Sequence, residues 1–148
     1  MRKVDLAKEE KAKLAPAGMS LSEILVNENL AKLGDAFVNF TYSLAQSMRN
    51  GRGVNVRVPS RILASALKRS GLKKLLPPRT SIHDQADAAE ALSVYAWLSK
   101  MVTLEEFVSL LSQTKDDPAE IFRAVLEEIL KRLEPEIAKP ETIQEHQA

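Results

Sequence analysis

An all-α domain of about six or seven helices is the fold class that this sequence predicts, on the strength of three observations. Residues 30–48 carry apolar side chains at spacings of three or four, which is the repeat of a helix. Strand-like alternation is confined to residues 51–58, where two glycines favour a loop. Helix-start signals precede the other apolar stretches, namely Ser20 with Glu23, Thr103 with Glu106, and Asp117 with Pro118.

The long apolar series predicts the main helix of the first half of the chain. Its members form a stripe about five turns long, the pattern of a helix that packs on a core. They are Leu30, Leu33, Phe37, Phe40, Leu44 and Met48. Gly51 is a natural end for this helix. A short helix is then expected from Pro59 or Ser60 to Ser70, where Gly71 stops it.

Three more helices are expected in the second half. They cover residues 84–99, a stretch from Thr103, and a stretch from Asp117 to near Leu133. Pro135 and Pro140 make the last residues a poor helix. The expected organisation is a charged arm over residues 1–18, one helical domain over 19–134 and a flexible tail over 135–148.

The composition excludes several classes of protein. There is no cysteine, so disulfide frameworks, thiolate metal sites and cysteine nucleophiles are excluded. No glycine-rich phosphate loop occurs, and we expect no small-molecule cofactor. No apolar run approaches the roughly 20 residues that a membrane-spanning helix needs, and no signal sequence is visible at the N-terminus. We therefore expect a cytoplasmic protein with no membrane partner.

The net charge of +1 conceals a strong asymmetry. Residues 36–83 contain no Asp or Glu and nine Arg or Lys, a local charge of +9, whereas the rest of the chain holds 12 bases against 20 acids. A basic block of this kind is typical of proteins that bind a phosphate backbone, although a solvated basic face has the same composition. The candidate RNA-binding residues are Arg49, Arg52, Arg57, Arg61, Lys68, Arg69, Lys73 and Lys74.

Carboxylates are the remaining candidates for catalysis or metal binding, and as ligands they favour hard ions such as Mg²⁺. Asp87 and Glu90 are three residues apart and lie on the same face of a helix. Glu28 and Asp35 are seven residues apart, so they lie on the same side of a helix two turns from each other. Asp35 follows Gly34 inside a helical pattern, where a glycine usually has a packing reason. These carboxylates are either a partly buried cluster or surface groups, with Asp35 capping a break between two helices.

Two segments resemble the ribonuclease III family. Leu33-Gly34-Asp35-Ala36 is similar to the Leu-Gly-Asp-Ala core of the family signature. Ala86-Asp87-Ala88-Ala89-Glu90-Ala91-Leu92 is similar to its second acidic helix, Ala-Asp-Ala-x-Glu-Ala-Leu. The helix between them, ending in Ser70-Gly71-Leu72, is similar to the family's helix ending in Leu-Gly-Leu. The resemblance covers about residues 24–98, and the order and spacing of the two acidic motifs match the family.

The resemblance implies a ribonuclease III-like endonuclease domain. Asp35, Asp87 and Glu90 fall on catalytic, metal-site positions, and Glu28 falls on the first glutamate of the signature. The implied cofactor is Mg²⁺ or Mn²⁺, the substrate is double-stranded or structured RNA, and the active form is a homodimer. Ala31 departs from the full-length members, which have a second glutamate there. The chain resembles the small Mini-ribonuclease III branch, which lacks a double-stranded-RNA-binding domain.

Three functions follow from this reading of the sequence. The first is a metal-dependent endoribonuclease that hydrolyses phosphodiester bonds of double-stranded RNA. The second is a ribonuclease III-like fold that has lost cleavage and serves as an RNA-binding or assembly module, which Ala31 favours. The third is an unrelated helical adaptor whose basic face binds an acidic protein.

Overall fold

In the computed structural model, residues 10–11, 13–113 and 117–147 are described, with side chains described as far as residue 133. Six helices follow one another from residue 21, and the described residues contain no strand. They are α1 (Leu21–Leu25), α2 (Glu28–Asn50), α3 (Ser60–Arg69), α4 (Ile82–Leu98), α5 (Leu104–Leu111) and α6 (Pro118–Gln147). A short 3₁₀ turn, Leu72–Leu75, lies between α3 and α4. The all-α prediction is confirmed.

The helix starts follow the capping signals of the sequence. The capping boxes of Ser20 and Thr103 both form, and each side-chain hydroxyl accepts a hydrogen bond from the backbone three residues later. A third box, formed by Ser81 and Asp84, starts α4 at Ile82. This helix therefore begins two residues before the predicted position 84, because Ser81 rather than Asp84 is the N-cap.

Helix α4 is the centre of the molecule, and it is buried on nearly all sides. Helix α2 packs along it, and α3, α1 and α6 contact it as well. Its many alanines, among them Ala86, Ala88, Ala89 and Ala91, let the surrounding helices come close. The two acidic segments of the sequence therefore lie on the two helices that pack together most extensively.

The predicted apolar stripe of α2 only partly faces the core. Leu30 and Phe37 are buried, but Phe40 is 57% exposed and Met48 is 67% exposed. The buried face instead includes small residues, such as Ala31, Gly34 and Ala45. Spacing alone locates an apolar stripe, but the close approach of α4 is possible only where the side chains of α2 are small. The exposed Phe40 and Met48 remain available for a partner.

One of the two readings of Asp35 and one predicted helix end are wrong. Helix α2 is continuous from Glu28 to Asn50, so Asp35 does not cap a break. Helix α6 continues past Leu133 to Gln147, because an interior proline removes one backbone hydrogen bond and bends a helix without having to end it. The mobility expected of residues 135–148 stays a prediction, and residues 1–9 of the N-terminal arm lie outside the described residues. No helix in the described part of the chain is long and apolar enough to cross a membrane.

Candidate active site

Gly34 determines how closely the two acidic helices approach. A Cβ at this position would overlap the backbone carbonyl carbon and oxygen of Glu90 and would lie 3.0 Å from the Glu90 Cβ. Any side chain on residue 34 would therefore push α2 away from α4. The packing reason expected for this glycine is confirmed, and it places the neighbouring Asp35 beside Glu90.

Asp35 and Glu90 form a carboxyl pair across the helix contact. Glu90 is buried, with 7% of its surface exposed, whereas the Asp35 side chain is 49% exposed. Burial, the negative charge of Asp35 and a hydrogen bond shared with Asp35 together raise the pKa of Glu90 to about 8. At neutral pH Glu90 therefore keeps its proton in the metal-free protein.

Asp87 and Glu28 lie at the edge of this pair. The pKa of Asp87 is raised by partial burial first, then by the negative charge of Asp84, with smaller effects from Asp35 and Glu28. Asp87 also raises the pKa of Glu90. The four carboxylates predicted from the sequence thus interact electrostatically, and Asp84 joins them.

Ala31 lies in a cleft beside the carboxylates, with a volume of about 320 Å³. Glu28, Asp84 and Asp87 line the same cleft, and Leu76 to Thr80 form its other wall. A glutamate at position 31 would project among these acidic groups. The small methyl group of Ala31 leaves that space open, as expected from the departure from the family pattern.

Asp35 has two further partners. The side-chain amide of Asn39 donates a hydrogen bond of 3.0 Å to Asp35 Oδ1. The Arg57 guanidinium lies 3.4 Å from the same oxygen, and its side chain is 76% exposed. Asn39 also accepts a hydrogen bond of 2.7 Å from the backbone N–H of Val58. The loop that follows α2 therefore returns to the carboxyl pair.

Arg69 differs from the other predicted RNA-binding residues. Its guanidinium lies 2.8 Å from both Asp117 and Glu120, so it ties the end of α3 to the start of α6. Because two carboxylates neutralise its charge, Arg69 is a poor candidate for a phosphate contact although it is exposed. The other seven candidates are exposed and lack such a double ion pair: Arg49, Arg52, Arg57, Arg61, Lys68, Lys73 and Lys74.

The structure is thus an all-helical domain in which carboxyl groups from two packed helices meet. The family model described as Ribonuclease III matches residues 28–139, which is 112 of the 148 residues and covers α2 to α5 and the part of α6 up to residue 139. This chain therefore belongs to the ribonuclease III family. No curated protein matches the sequence.

The carboxyl pair fits a divalent cation in part. Asp35 and Glu90 offer two hard oxygen donors in contact with each other, and their mutual repulsion is the condition that a bound cation relieves. However, no group of three or more Asp, Glu, His or Cys side chains in the described part of the chain is placed to hold one ion. Asp87 and Glu28 lie nearby without completing such a group. The donors present suit an ion that keeps several of its waters, as Mg²⁺ does.

Three residues beside the site, Asn39, Ser43 and Ser47, were not predicted from the sequence. These polar residues are spaced by four on α2, opposite the alternating Val54, Val56 and Val58. The spacing of four on α2 and the alternation of two in residues 54–58 together indicate an extended segment that is hydrogen-bonded along a helix. The alternation was visible in the sequence, but its partner helix was not.

Proposed function

We propose that this member of the ribonuclease III family is a divalent-metal-dependent endoribonuclease that hydrolyses double-stranded or structured RNA. The observation that carries the proposal is the contact between Asp35 and Glu90, made possible by Gly34. The family match supports RNA as the substrate. The absence of cysteine and the presence of only two histidines agree with chemistry that needs no Cys or His nucleophile.

The chain's residues have separate roles in this proposal. Asp35 and Glu90 would hold Mg²⁺ or Mn²⁺, with Asp87 and Glu28 raising the negative potential around it. The bound ion would lower the pKa of a water molecule and stabilise the charge that develops on the phosphate oxygens. Asn39 orients Asp35 through its hydrogen bond. Because the site is at the protein surface on the Asp35 side, a phosphodiester can approach from there.

RNA binding is assigned to the exposed basic residues of segment 49–74. They would contact phosphates and recognise the shape of a duplex rather than its sequence. The sequence has few aromatic residues, which disfavours a surface that stacks single-stranded bases. Affinity for an RNA duplex should fall steeply as salt concentration rises.

We also propose that the chain is a homodimer. One apolar face of α2 consists of Ala36, Phe40, Leu44 and Met48, which are spaced by four; Ala36, Phe40 and Met48 are exposed to solvent and Leu44 is half-buried. A shallow groove between this face and residues 54–55 runs alongside. A self-complementary face of this kind can pair with a second copy about a two-fold axis. Each copy would then contribute one carboxyl pair to a shared RNA groove.

Cleavage of a generic RNA duplex tests the proposed activity. We expect cleavage with Mg²⁺ or Mn²⁺ and none with EDTA. Asp35→Asn and Glu90→Gln should each reduce the rate by at least about 100-fold, because each removes one of two donors for the ion. Glu105→Gln is the matched control, since Glu105 is an exposed carboxylate of α5 outside the cluster, and it should cleave like the wild type.

A catalytically reduced RNA-binding module is the second candidate, and the open cleft at Ala31 favours it. Duplex binding without cleavage at any Mg²⁺ or Mn²⁺ concentration would establish this function instead. Ala31→Glu then distinguishes a reduced site from an absent one, since an added carboxylate should tighten metal binding only where an ion binds. The third reading began from a fold unrelated to ribonuclease III, and the family match over most of the chain removes that premise; its binding of an acidic protein stays a prediction.

A further inference from the structure

Residues 54–58, here called the strap, run back along α2 after the chain reverses at Gly51. Three polar side chains of α2 hold the strap through its backbone. Ser47 Oγ accepts a hydrogen bond of 2.8 Å from the Val54 N–H, and Ser43 Oγ accepts one of 2.9 Å from the Val56 N–H. Both hydroxyls also donate to the carbonyl oxygens of the same valines, at 3.2 and 3.0 Å.

The periods of strap and helix match. Four residues advance an α-helix by about 6.0 Å, and two residues advance an extended chain by about 6.6 Å. Ser47, Ser43 and Asn39 can therefore pair in turn with Val54, Val56 and Val58. The next step of four along α2 is Asp35. The alternate residues of the strap, Asn55 and Arg57, stay exposed.

This register brings Arg57 to Asp35. Arg57 lies between two anchored residues, Val56 and Val58, so its backbone is held on both sides while its side chain is free to reach the carboxylate. Arg57 is the residue paired with Asp35 in the structure, at 3.4 Å, and its positive charge also acts on Glu90. The guanidinium thus pairs with the same Asp35 oxygen that would be a ligand of a bound cation.

We propose that Arg57 is a built-in counter-cation of the carboxyl pair, positioned by the strap, which a divalent ion must displace from Asp35. This inference rests on the proposed metal-dependent function and concerns the competition between Arg57 and the metal ion for Asp35. An exposed guanidinium at 3.4 Å is bound weakly, so the ion can displace it. Once released, Arg57 remains beside the site, with five N–H donors available for a phosphate of the RNA.

Mn²⁺ binding without RNA tests this proposal, measured by the electron paramagnetic resonance of free Mn²⁺ or by calorimetry. Arg57→Ala should bind Mn²⁺ about three- to tenfold more tightly than the wild type, because the competing charge is gone. Arg57→Lys keeps a charge near Asp35 and should stay within about twofold of the wild type. Because Arg57 is exposed, none of these changes disturbs the core.

Arg52→Ala is the matched control. It removes the same charge from the same loop, but the Arg52 backbone N–H donates to Ser47, which is 12 residues and about 18 Å from Asp35 along the helix. At 0.15 M salt that distance exceeds the screening length of about 8 Å. Mn²⁺ binding by Arg52→Ala should therefore equal that of the wild type.

Ser43→Ala tests the role of the strap. It removes both hydrogen bonds to Val56 without touching Asp35 or Arg57. It should tighten Mn²⁺ binding in the same direction as Arg57→Ala, and the double variant should gain nothing more. An unchanged affinity in Ser43→Ala would overturn the positioning role.

Equal Mn²⁺ affinity in the wild type and Arg57→Ala, or no Mn²⁺ binding by either, would overturn the counter-cation role. An equal gain in Arg57→Ala and Arg52→Ala would do so as well, because it would reflect net charge alone. None of these readouts depends on cleavage. A failure of the RNA assay with tighter Mn²⁺ binding in Arg57→Ala would therefore reject the nuclease and leave this inference standing.

Discussion

Glu90 lies on α4 where α2 crosses it, and this position couples its ionisation to the fold. Its pKa rises from an ordinary value of 4.5 to about 8 because burial and Asp35 both oppose its negative charge. Between these two values the folded chain binds more protons than the unfolded chain. The contribution of Glu90 to the free energy of unfolding of the metal-free protein is therefore fully present below pH 4.5. It is lost as the pH rises to about 8.

Urea unfolding in EDTA at pH 5 and pH 8 measures this effect. We expect the metal-free wild type to lose roughly 2–4 kcal/mol of stability over this range, relative to Glu90→Gln. The neutral amide cannot ionise, so the variant should be the more stable of the two at pH 8. Addition of Mn²⁺ at pH 8 should restore stability to the wild type and leave Glu90→Gln nearly unchanged. Parallel pH profiles for the two proteins would contradict the assignment.

At the scale of elements, the contact between α2 and α4 creates the site. It depends on Gly34, whose missing Cβ lets the backbone of Glu90 lie against α2. The alanines of α4 extend the same close packing on either side. The strap then adds a second layer along α2, held by serine and asparagine side chains rather than by a sheet.

Gly34→Ala should separate these two helices. We expect it to lower the free energy of unfolding by about 2–4 kcal/mol, since the new methyl group meets backbone atoms that cannot rotate away. Gly53→Ala is the matched control: a Cβ there meets nothing within 4 Å and the backbone φ is not positive. Its stability in urea should stay within about 0.5 kcal/mol of the wild type. Equal effects of the two substitutions would contradict the packing argument.

In the molecule as a whole, the apolar face of α2 stays partly in contact with water when the chain is a single copy. Phe40 and Met48 are more than half exposed on a helix whose opposite face is fully packed. Burying them against a second copy would remove apolar surface from water at about 25 cal/mol per Å². The homodimer proposed above uses this face.

Sedimentation equilibrium at micromolar concentration tests the dimer. We expect twice the chain mass of 16.4 kDa for the wild type and mostly monomer for Phe40→Asp, because the new charge cannot be buried in an apolar interface. Ile82→Asp is the control, since Ile82 is similarly exposed but lies at the start of α4. A monomeric wild type, or a monomeric Ile82→Asp, would contradict the assigned face.

Local sequence signals predicted most helices and the carboxylates of the candidate site. Capping boxes and apolar spacing are local signals, because a helix start depends on a few residues in a row. They correctly predicted the starts at Ser20, Thr103 and Asp117. The motifs around Asp35 and Glu90 likewise pointed to the ribonuclease III family, which the family match confirms.

Which of these residues contact one another depends on tertiary packing. The exposed Phe40 and the buried Ala31 belong to one helix, and their burial depends on where α4 lies rather than on their own hydrophobicity. The pairing of Asp35 with Glu90 and Arg57 brings together residues 22 to 55 positions apart. The spacing of Asn39, Ser43 and Ser47 is explained only by the strap, whose backbone these side chains bind. Contacts between distant segments depend on the packing of the whole chain, and local sequence patterns do not specify that packing.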